Sequence, residues 1–237
     1  MSFPSCFVTG TDTDAGKTIV TASILRYLTS HGVSSAGLKP IASGFEVCDS
    51  ESLKNQDIEA IKASSGVKLP ADLINLYGFE PAIAPHIAAK EAGVVISPHQ
   101  ISVAVDEAKQ LAECVIVEGV GGWRVPLQYC TEDCSVPCDK HTGSIASLAK
   151  TLDLPVILVV GLKLGCLNHA LLTAQAVRDD GLNLVGWVAN NVQADFDRKD
   201  ENLSTLRSLM PAPMLFEVPF LKTSAELASF IPQSLGI

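Results

Sequence analysis

Apolar positions along this chain fall into two patterns, one at helical spacing and one in short uninterrupted runs. The helical pattern ends before Gly32, and its apolar members are Ile19, Val20, Ile24, Leu25 and Leu28. Three runs rich in β-branched residues span 114–117, 156–160 and 184–189, and Met214–Val218 is a further candidate strand. Such runs are typical of strands buried on both faces of a parallel sheet. The alternation predicts an α/β fold, a doubly wound, mostly parallel sheet flanked by helices, with ligands at the carboxyl ends of the strands.

Composition and charge narrow the class of protein. With 237 residues, 47% hydrophobic and 18% charged, the chain suits a single α/β domain spanning residues 1–237. A net charge of −9 disfavours a nucleic-acid partner, because such proteins carry a basic surface. The longest strongly apolar run, residues 155–162, is far shorter than the roughly 20 residues that span a bilayer. The seven cysteines are an odd number and no export signal is evident, so we expect reduced thiols in a soluble cytoplasmic protein.

Residues 10–18, which read Gly-Thr-Asp-Thr-Asp-Ala-Gly-Lys-Thr, form the most informative motif. They follow a short apolar run and precede the amphipathic helix, which is the setting of a phosphate-binding loop. Backbone N–H groups and the positive end of the helix dipole bind an anion there. Lys17 would reach the terminal phosphates, and the Thr18 hydroxyl would hold Mg²⁺. Five residues separate Gly10 from Gly16 where the general pattern has four, so we expect a nucleoside triphosphate bound through an unusual loop.

Further polar residues lie where the predicted strands end. Lys39 closes a probable strand, and Ser43 lies in the turn that follows. Glu118 follows the run at 114–117 and precedes glycines, in the position of the acid that binds Mg²⁺ in phosphate-loop enzymes, where Asp is the usual residue. Asn190 follows the run at 184–189, where its amide could bind the polar edge of adenine. Each residue alone has an ordinary structural explanation, but their shared position favours one ligand site.

Four segments together resemble the dethiobiotin synthetase family. They read FVTGTDTD at 7–14, KPIASG at 39–44, EGVGGW at 118–123 and KLGCLNHA at 163–170. Pro85-His86 and the segment GWVAN at 186–190 strengthen the likeness, which covers nearly the whole chain. The five-residue spacing in the loop is normal in that family. The resemblance implies an α/β fold of the phosphate-loop NTPase type.

The resemblance also implies a reaction, that of an ATP-dependent C–N-forming cyclo-ligase in biotin biosynthesis. Such enzymes join 7,8-diaminononanoate to CO₂ and yield dethiobiotin, ADP and phosphate. One amine captures CO₂ as a carbamate, the γ-phosphoryl group of ATP activates it as a carbamic–phosphoric anhydride, and the second amine closes the ring. The family works as a homodimer, in which one subunit binds the carboxylate of the diamine held by its partner.

Matching positions carry the roles of the family's residues. Lys39 and Lys17 are the implied catalytic residues, and Lys39 would face the carbamate and the moving phosphoryl group. The implied Mg²⁺ ligands are Thr18, Asp57 and Glu118. The implied substrate contacts are Ser43 and, on the second subunit, Leu164, Gly165, Cys166, Leu167 and Asn168. The implied ATP contacts are Thr13, Asp14, Ala15, Gly16, Lys17, Thr18, Ile19, Asp57, Glu118, Gly119, Val120, Gly121, Asn190, Asn191, Pro219, Phe220 and Leu221.

Two other classes share this kind of loop. A switch ATPase of the partitioning type is the main alternative, but such proteins place an extra lysine near the start of the loop, where this chain has Asp12. They also commonly carry a membrane-binding or DNA-binding surface, for which this acidic chain offers no candidate. An amidating ligase acting on cobyrinic-acid-like substrates usually carries an additional glutamine-hydrolysing domain, and no room remains for one here. The ligase of the resembled family is therefore favoured.

One cluster is not explained by the resemblance. The irregular stretch 129–143 contains Cys130, Cys134, Cys138 and His141. Three thiols and an imidazole could bind zinc, yet the spacing differs from the usual paired pattern. A regulatory disulfide is a second alternative, and free thiols in a variable loop are the favoured one.

Overall fold

The computed structural model describes residues 3–48, 52–128 and 143–236. Its strands are β1 Cys6–Gly10, β2 Ser35–Leu38, β3 Ile41–Ser43, β4 Glu46–Cys48, β5 Ser52–Lys54, β6 Tyr77–Phe79, β7 Cys114–Gly122, β8 Val156–Leu162, β9 Leu184–Asn191 and β10 Met214–Val218. Six of them form one parallel sheet in the order β10-β9-β8-β1-β7-β2. Outside it, β3 pairs with β6 in parallel and β4 pairs with β5 in antiparallel orientation.

Helices cover both faces of the large sheet. They are α1 Lys17–Ser30, α2 Gln56–Ser64, α3 Ala71–Ile74, α4 Pro85–Glu91, α5 Pro98–Leu111, α6 Ile145–Leu152, α7 Cys166–Asp179, α8 Lys199–Leu209 and α9 Ser224–Ser229. The apolar residues of α1 and α2 pack on one face, and those of α5 to α8 pack on the other. Within β1, Phe7 belongs to the core under α5 to α8, and its neighbour Val8 belongs to the core under α1. The predicted doubly wound α/β fold is confirmed.

The strands extend further than the apolar runs that predicted them. Only β10 has the bounds of its predicted run; towards their carboxyl ends, β7 continues for five further residues and β8 and β9 for two each. The parallel pairing explains the extension, because Gly10 of β1 still lies opposite Gly122 of β7. Glu118 and Asn190 therefore lie within strands, not after them, and the sheet itself fixes their positions.

The topology brings these strand ends together at one edge. The chain passes from β1 through α1 to β2 on one side of the sheet, and later from β7 through α6 to β8 on the other side of β1. Ligands of doubly wound folds bind at the carboxyl ends near such a change of direction. Among the described residues, no helix combines the length and apolar character that crossing a membrane requires. The cluster of Cys130, Cys134, Cys138 and His141 lies outside the described residues.

Candidate active site

The phosphate loop forms the turn between β1 and α1. A short 3₁₀ helix spans Thr13–Ala15, and α1 begins at Lys17. The N-cap residue of α1 is Gly16, which has no side chain, so the first N–H groups of the helix are left for an anion. Gly16 has φ +90°, and a Cβ atom there would lie 1.9 Å from Nδ2 of Asn190. Both facts restrict this position to glycine.

Lys17 is buried at the start of α1. Its Nζ donates hydrogen bonds to the main-chain oxygens of Asp12 and Thr13, both at 3.0 Å. Burial lowers the pKa of Lys17, an effect that the Glu118 carboxylate opposes and the charge of Lys39 reinforces. The two carbonyl oxygens thus hold a cation within the loop itself.

Lys39 lies between two carboxylates. Its Nζ donates to Oε1 of Glu118 at 2.9 Å and also pairs with the carboxylate of Asp57. The same Glu118 oxygen accepts a hydrogen bond from the Thr18 hydroxyl at 2.7 Å. Burial by itself lowers the pKa of Lys39, but Glu118 and Asp57 outweigh burial, and the pKa lies above its ordinary value. Lys39 is therefore an ammonium ion at neutral pH, and it is nearly inaccessible to solvent.

Asn55 positions two residues of the site, although no motif in the sequence indicated it. As the N-cap of α2, its Oδ1 accepts hydrogen bonds from the N–H groups of Asp57 at 3.1 Å and Ile58 at 3.2 Å. Its Nδ2 donates to the main-chain oxygen of Ser43 at 3.1 Å. The side chain of Asn55 thus joins the first turn of α2 to β3, and it holds Asp57 and Ser43 at the same side of the cavity.

The oxygen atoms of this site fit a magnesium ion. Oε2 of Glu118 is buried and accepts no hydrogen bond from the residues that the structure describes. A buried carboxylate oxygen without a partner is costly, and a cation would satisfy it. The Thr18 hydroxyl and the Asp57 carboxylate are the neighbouring oxygens, and Mg²⁺ prefers carboxylate, hydroxyl and water oxygens. The three residues implied as metal ligands are thus close together and chemically suited to the ion.

A cavity of about 450 Å³ opens beside the phosphate loop. The predicted site residues that line it are Thr13, Asp14, Lys17, Thr18, Lys39, Ser43, Asp57, Glu118, Val120 and Gly121. The hydroxyl of Ser43 is buried and has no hydrogen-bond partner among the described residues, so it is left for a ligand. The cavity is also lined by residues that were not predicted as site residues, namely Ala82, Ile83, Ala84, Pro85 and Val125. Only Pro85 had any signal, as part of the resemblance.

Three other predicted ATP contacts lie close to the loop but do not line this cavity. Ala15 is fully buried under the loop. Gly119 faces the core, where a Cβ atom would lie 3.0 Å from the ring of Phe7. Ile19 lines a separate cleft between α1, α2 and α9. None of the three presents a side chain to this cavity, so any contact with ATP would come from their main-chain atoms.

A second cavity, of about 660 Å³, lies at the ends of β9 and β10. It is lined by the predicted residues Asn191, Pro219 and Phe220, and also by Phe196, Lys199 and Glu217, which no sequence motif indicated. Asn190 is buried beside it and donates from Nδ2 to the main-chain oxygen of Ala15 at 2.9 Å. Leu221 packs against the core under α1. Asn190 thus links the second cavity to the phosphate loop.

The segment 164–168 lies apart from both cavities. Leu164 is 91% exposed, whereas Cys166 is buried at the start of α7. Gly165 is the N-cap of α7 with φ +94°, so the first N–H groups of this helix also lack a side-chain cap. Within one chain, none of these five residues lines either cavity.

Comparison with known proteins gives the family. A family model described as an AAA domain matches residues 5–227. The ATP-dependent dethiobiotin synthetase of Pseudomonas paraeruginosa is 46% identical over 226 residues, which cover 95% of this chain and 93% of the relative. The corresponding synthetase of Aeromonas salmonicida is 44% identical over 223 residues, with 94% of this chain and 93% of the relative covered.

A solved structure is similar in fold alone. The 54 kDa signal recognition particle protein from Aeropyrum pernix, in complex with GDP, aligns with a TM-score of 0.54 and 12% identity. The alignment covers 98% of this chain and 44% of that one. The fold is therefore that of phosphate-loop NTPases, and the identity to the full-length relatives shows that this chain belongs to the family of ATP-dependent dethiobiotin synthetases, which are ligases.

Proposed function

We propose that this chain, acting as one domain over residues 1–237, closes a ureido ring on 7,8-diaminononanoate with CO₂ and ATP. The products would be dethiobiotin, ADP and phosphate, in biotin biosynthesis. The observation that carries the proposal is the buried ammonium of Lys39, which lies between Glu118 and Asp57 in the same cavity as the phosphate loop. The dethiobiotin synthetases among the relatives support the same reaction.

The chemistry balances in three steps. One amine of the diamine attacks CO₂ and loses a proton, which gives a carbamate. A carbamate oxygen then attacks the γ-phosphorus of ATP, the bond to the ADP oxygen breaks, and a carbamic–phosphoric anhydride forms. Finally the second amine attacks the carbamate carbon, loses a proton and expels phosphate. The phosphoryl group is needed because a bare carbamate has a very poor leaving group.

Lys39 and Lys17 supply the positive charge that the second step requires. Phosphoryl transfer depends mainly on positioning and on stabilisation of charge on the moving group. Lys39 would contact the carbamate and the γ-phosphoryl oxygens, and Lys17 would leave the carbonyl oxygens of Asp12 and Thr13 for the β- and γ-phosphates. When bound by Thr18, Asp57 and Glu118, Mg²⁺ would neutralise phosphate charge. The buried hydroxyl of Ser43 would bind the diamine or its carbamate.

The orientation of the Asn191 amide supports ATP as the nucleotide. Its Nδ2 donates to Oε1 of Glu217 at 2.9 Å and to the main-chain oxygen of Val218 at 2.6 Å. Burial raises the pKa of Glu217, but hydrogen bonds from Asn191 and Lys199 outweigh it and the pKa lies below its ordinary value. Both partners are thus acceptors, which fixes the direction of the amide. Only Oδ1 of Asn191 is left for the cavity, and this acceptor matches the 6-amino group of adenine, not the keto oxygen of guanine.

A second copy of the chain would complete the diamine site. Leu164, two residues before α7, is 91% exposed, and Leu172, in the middle of α7, is 62% exposed. The uncapped N-terminus of α7 suits a carboxylate, yet it lies outside the cavity of its own chain. We therefore place residues 164–168 of each subunit against the cavity of the other. Light scattering tests this arrangement, since a mass of two chains is expected and a monomer at assay concentration would contradict it.

Coupling between ATP use and the diamine tests the proposed function. The purified protein is incubated with ATP, Mg²⁺ and bicarbonate, with and without the diamine, and ADP and dethiobiotin are both measured. The proposal predicts one ADP per dethiobiotin and little ADP without the diamine. ATP hydrolysis that is independent of the diamine would instead favour the switch ATPase. Switch ATPases carry a lysine where this chain has Asp12, which pairs with Lys163, and this difference disfavours that class.

A further inference from the structure

The phosphate loop carries an acidic residue that the proposed reaction does not use. Residues 10–18 contain two aspartates and one lysine, a formal charge of −1 in a loop that is built to bind phosphates. Of the two aspartates, Asp12 is the one whose main-chain oxygen accepts a hydrogen bond from Lys17. Its charge is felt at Lys17, where it opposes the lowering of the pKa that burial causes. A carboxylate in this place would repel a polyphosphate.

Lys163 lies against this carboxylate. It follows the last residue of β8, and its Nζ is 2.5 Å from Oδ2 of Asp12. Both side chains are 31% exposed, so the pair is shielded from water only in part. The main chain reinforces the contact, because the N–H of Thr11 donates to the oxygen of Val159 in β8 at 3.0 Å. The end of β8 thus supplies both a backbone anchor and a counter-charge to the loop.

We propose that Lys163 is a positioning residue of the phosphate loop, which neutralises Asp12 and so allows the loop to accept the phosphates of the nucleotide. Lys163 acts through Asp12 and does not line the cavity that holds Lys17 and Lys39. The pair also fixes the start of the turn that leads to α7. The inference rests on the proposed function only in taking a nucleoside triphosphate as the ligand of the loop.

Two roles of Lys163 can be told apart by mutation: neutralisation of the Asp12 carboxylate, and direct binding of the phosphates. If Lys163 serves only to cancel the charge of Asp12, removal of both charges restores the loop. We expect Lys163→Met to weaken ATP binding about tenfold, as one uncompensated charge near a polyphosphate would. Lys163→Arg keeps the charge and should bind ATP like the parent protein. The double variant Asp12→Asn/Lys163→Met should return to within about threefold of the parent, and Asp12→Asn alone should stay within the same range.

The measurement is calorimetric binding of ATP and ADP with Mg²⁺ to each full-length variant, at low and high salt. The defect of Lys163→Met should be larger for ATP than for ADP and should shrink at high salt, because charge repulsion is screened. Lys150→Met is the matched control, since it removes a lysine that pairs with Asp180 at 3.1 Å away from the loop. It should bind ATP like the parent protein.

Two results would overturn the inference. One is a double variant that binds ATP as weakly as Lys163→Met, which would mean that Lys163 contacts the phosphates or only supports the fold. The other is Lys163→Met that binds as tightly as the parent. This inference is tested by nucleotide binding in the absence of the diamine, whereas the proposed reaction is tested by dethiobiotin formation. Either one can therefore fail without the other.

Discussion

The two cavities at the carboxyl edge of the sheet differ in whether their polar groups have hydrogen-bond partners within the protein. The cavity beside the phosphate loop buries formal charges, with Lys39 5% and Glu118 1% exposed, and it leaves Oε2 of Glu118 without a partner among the described residues. The cavity at the ends of β9 and β10 is more open, and its amide donor on Asn191 is fully used by protein acceptors. Buried charged groups that lack a partner are suited to binding phosphates and a metal ion and to stabilising charge during a reaction. A satisfied, oriented amide suits recognition of a base.

The largest effect should follow from removal of Lys39. Lys39→Ala is expected to lower dethiobiotin formation by about 10²–10³, the usual cost of losing one preorganised donor to the transition state. ATP binding should be retained, because Lys17 and the loop remain. Lys62→Met, at an exposed lysine paired with Glu59, is the control and should leave the rate unchanged. Steady-state rates and nucleotide affinity are measured on both variants. Unchanged turnover in Lys39→Ala would remove Lys39 from the mechanism.

Glu118→Gln should have the next largest effect, and it should act through the metal. The substitution keeps the shape of the side chain but removes the charge and one acceptor from the oxygens beside Thr18. We expect turnover to fall about 10²-fold, with a higher Mg²⁺ concentration needed for the half-maximal rate. Titration of the rate with Mg²⁺ measures both changes, and Glu59→Gln on the exposed side of α2 is the control. An unchanged Mg²⁺ requirement would exclude Glu118 as a metal ligand.

A smaller effect, confined to nucleotide choice, should follow at the other cavity. Glu217→Gln replaces one of the two obligate acceptors by an amide that can donate, so the main-chain oxygen of Val218 alone holds the direction of the Asn191 amide. The preference for ATP over GTP should fall about tenfold, while kcat with ATP stays near that of the parent protein. The ratio of kcat/KM for the two nucleotides is the readout. If the ATP-to-GTP ratio of kcat/KM is unchanged and kcat with ATP falls strongly, the second cavity takes part in the reaction. The distinction between a reactive first cavity and a base-binding second cavity would then be wrong.

The smallest effect concerns the stability of the folded protein at acid pH, to which Glu217 in the second cavity contributes. The pKa of Glu217 lies below its ordinary value near 4.5 in the folded protein, so the carboxylate stabilises the fold fully above that value. This contribution is lost as pH falls through the lower, folded-state pKa. The melting temperature of the parent protein should therefore exceed that of Glu217→Gln at neutral pH, and the difference should shrink in acid. Thermal unfolding from pH 7 to pH 3 measures it, and a difference that grows in acid would contradict the assignment.

The sequence predicted what depends on local pattern. Apolar runs predicted β7 to β10 of the large sheet but not the short strands β3 to β6. The spacing of Gly16, Lys17 and Thr18 before an amphipathic helix predicted the phosphate loop and the start of α1. The resemblance pointed to Lys39, Asp57 and Glu118, which the structure brings into one network. These residues follow or continue buried strands, or begin a helix, so their positions are fixed once the sheet forms.

Contacts between distant parts of the chain could not be predicted in this way. Asp12 and Lys163 are 151 residues apart, and nothing local to either residue shows that they pair. Asn55 looked like an ordinary polar residue until α2 placed it between Asp57 and Ser43. The lining at 82–85 is apolar and carries no chemical signal of its own. Each depends on how the elements pack, which pattern alone does not determine.

The most direct measurement follows one oxygen atom through the reaction. The protein is incubated with ATP, Mg²⁺, the diamine and freshly dissolved ¹⁸O-labelled bicarbonate, and the products are analysed by mass spectrometry. If a carbamate bound beside the Lys39 ammonium attacks the γ-phosphoryl group, dethiobiotin forms and the released phosphate carries one ¹⁸O. Unlabelled phosphate with dethiobiotin formed would contradict the anhydride, and phosphate released without dethiobiotin would contradict the ligase itself.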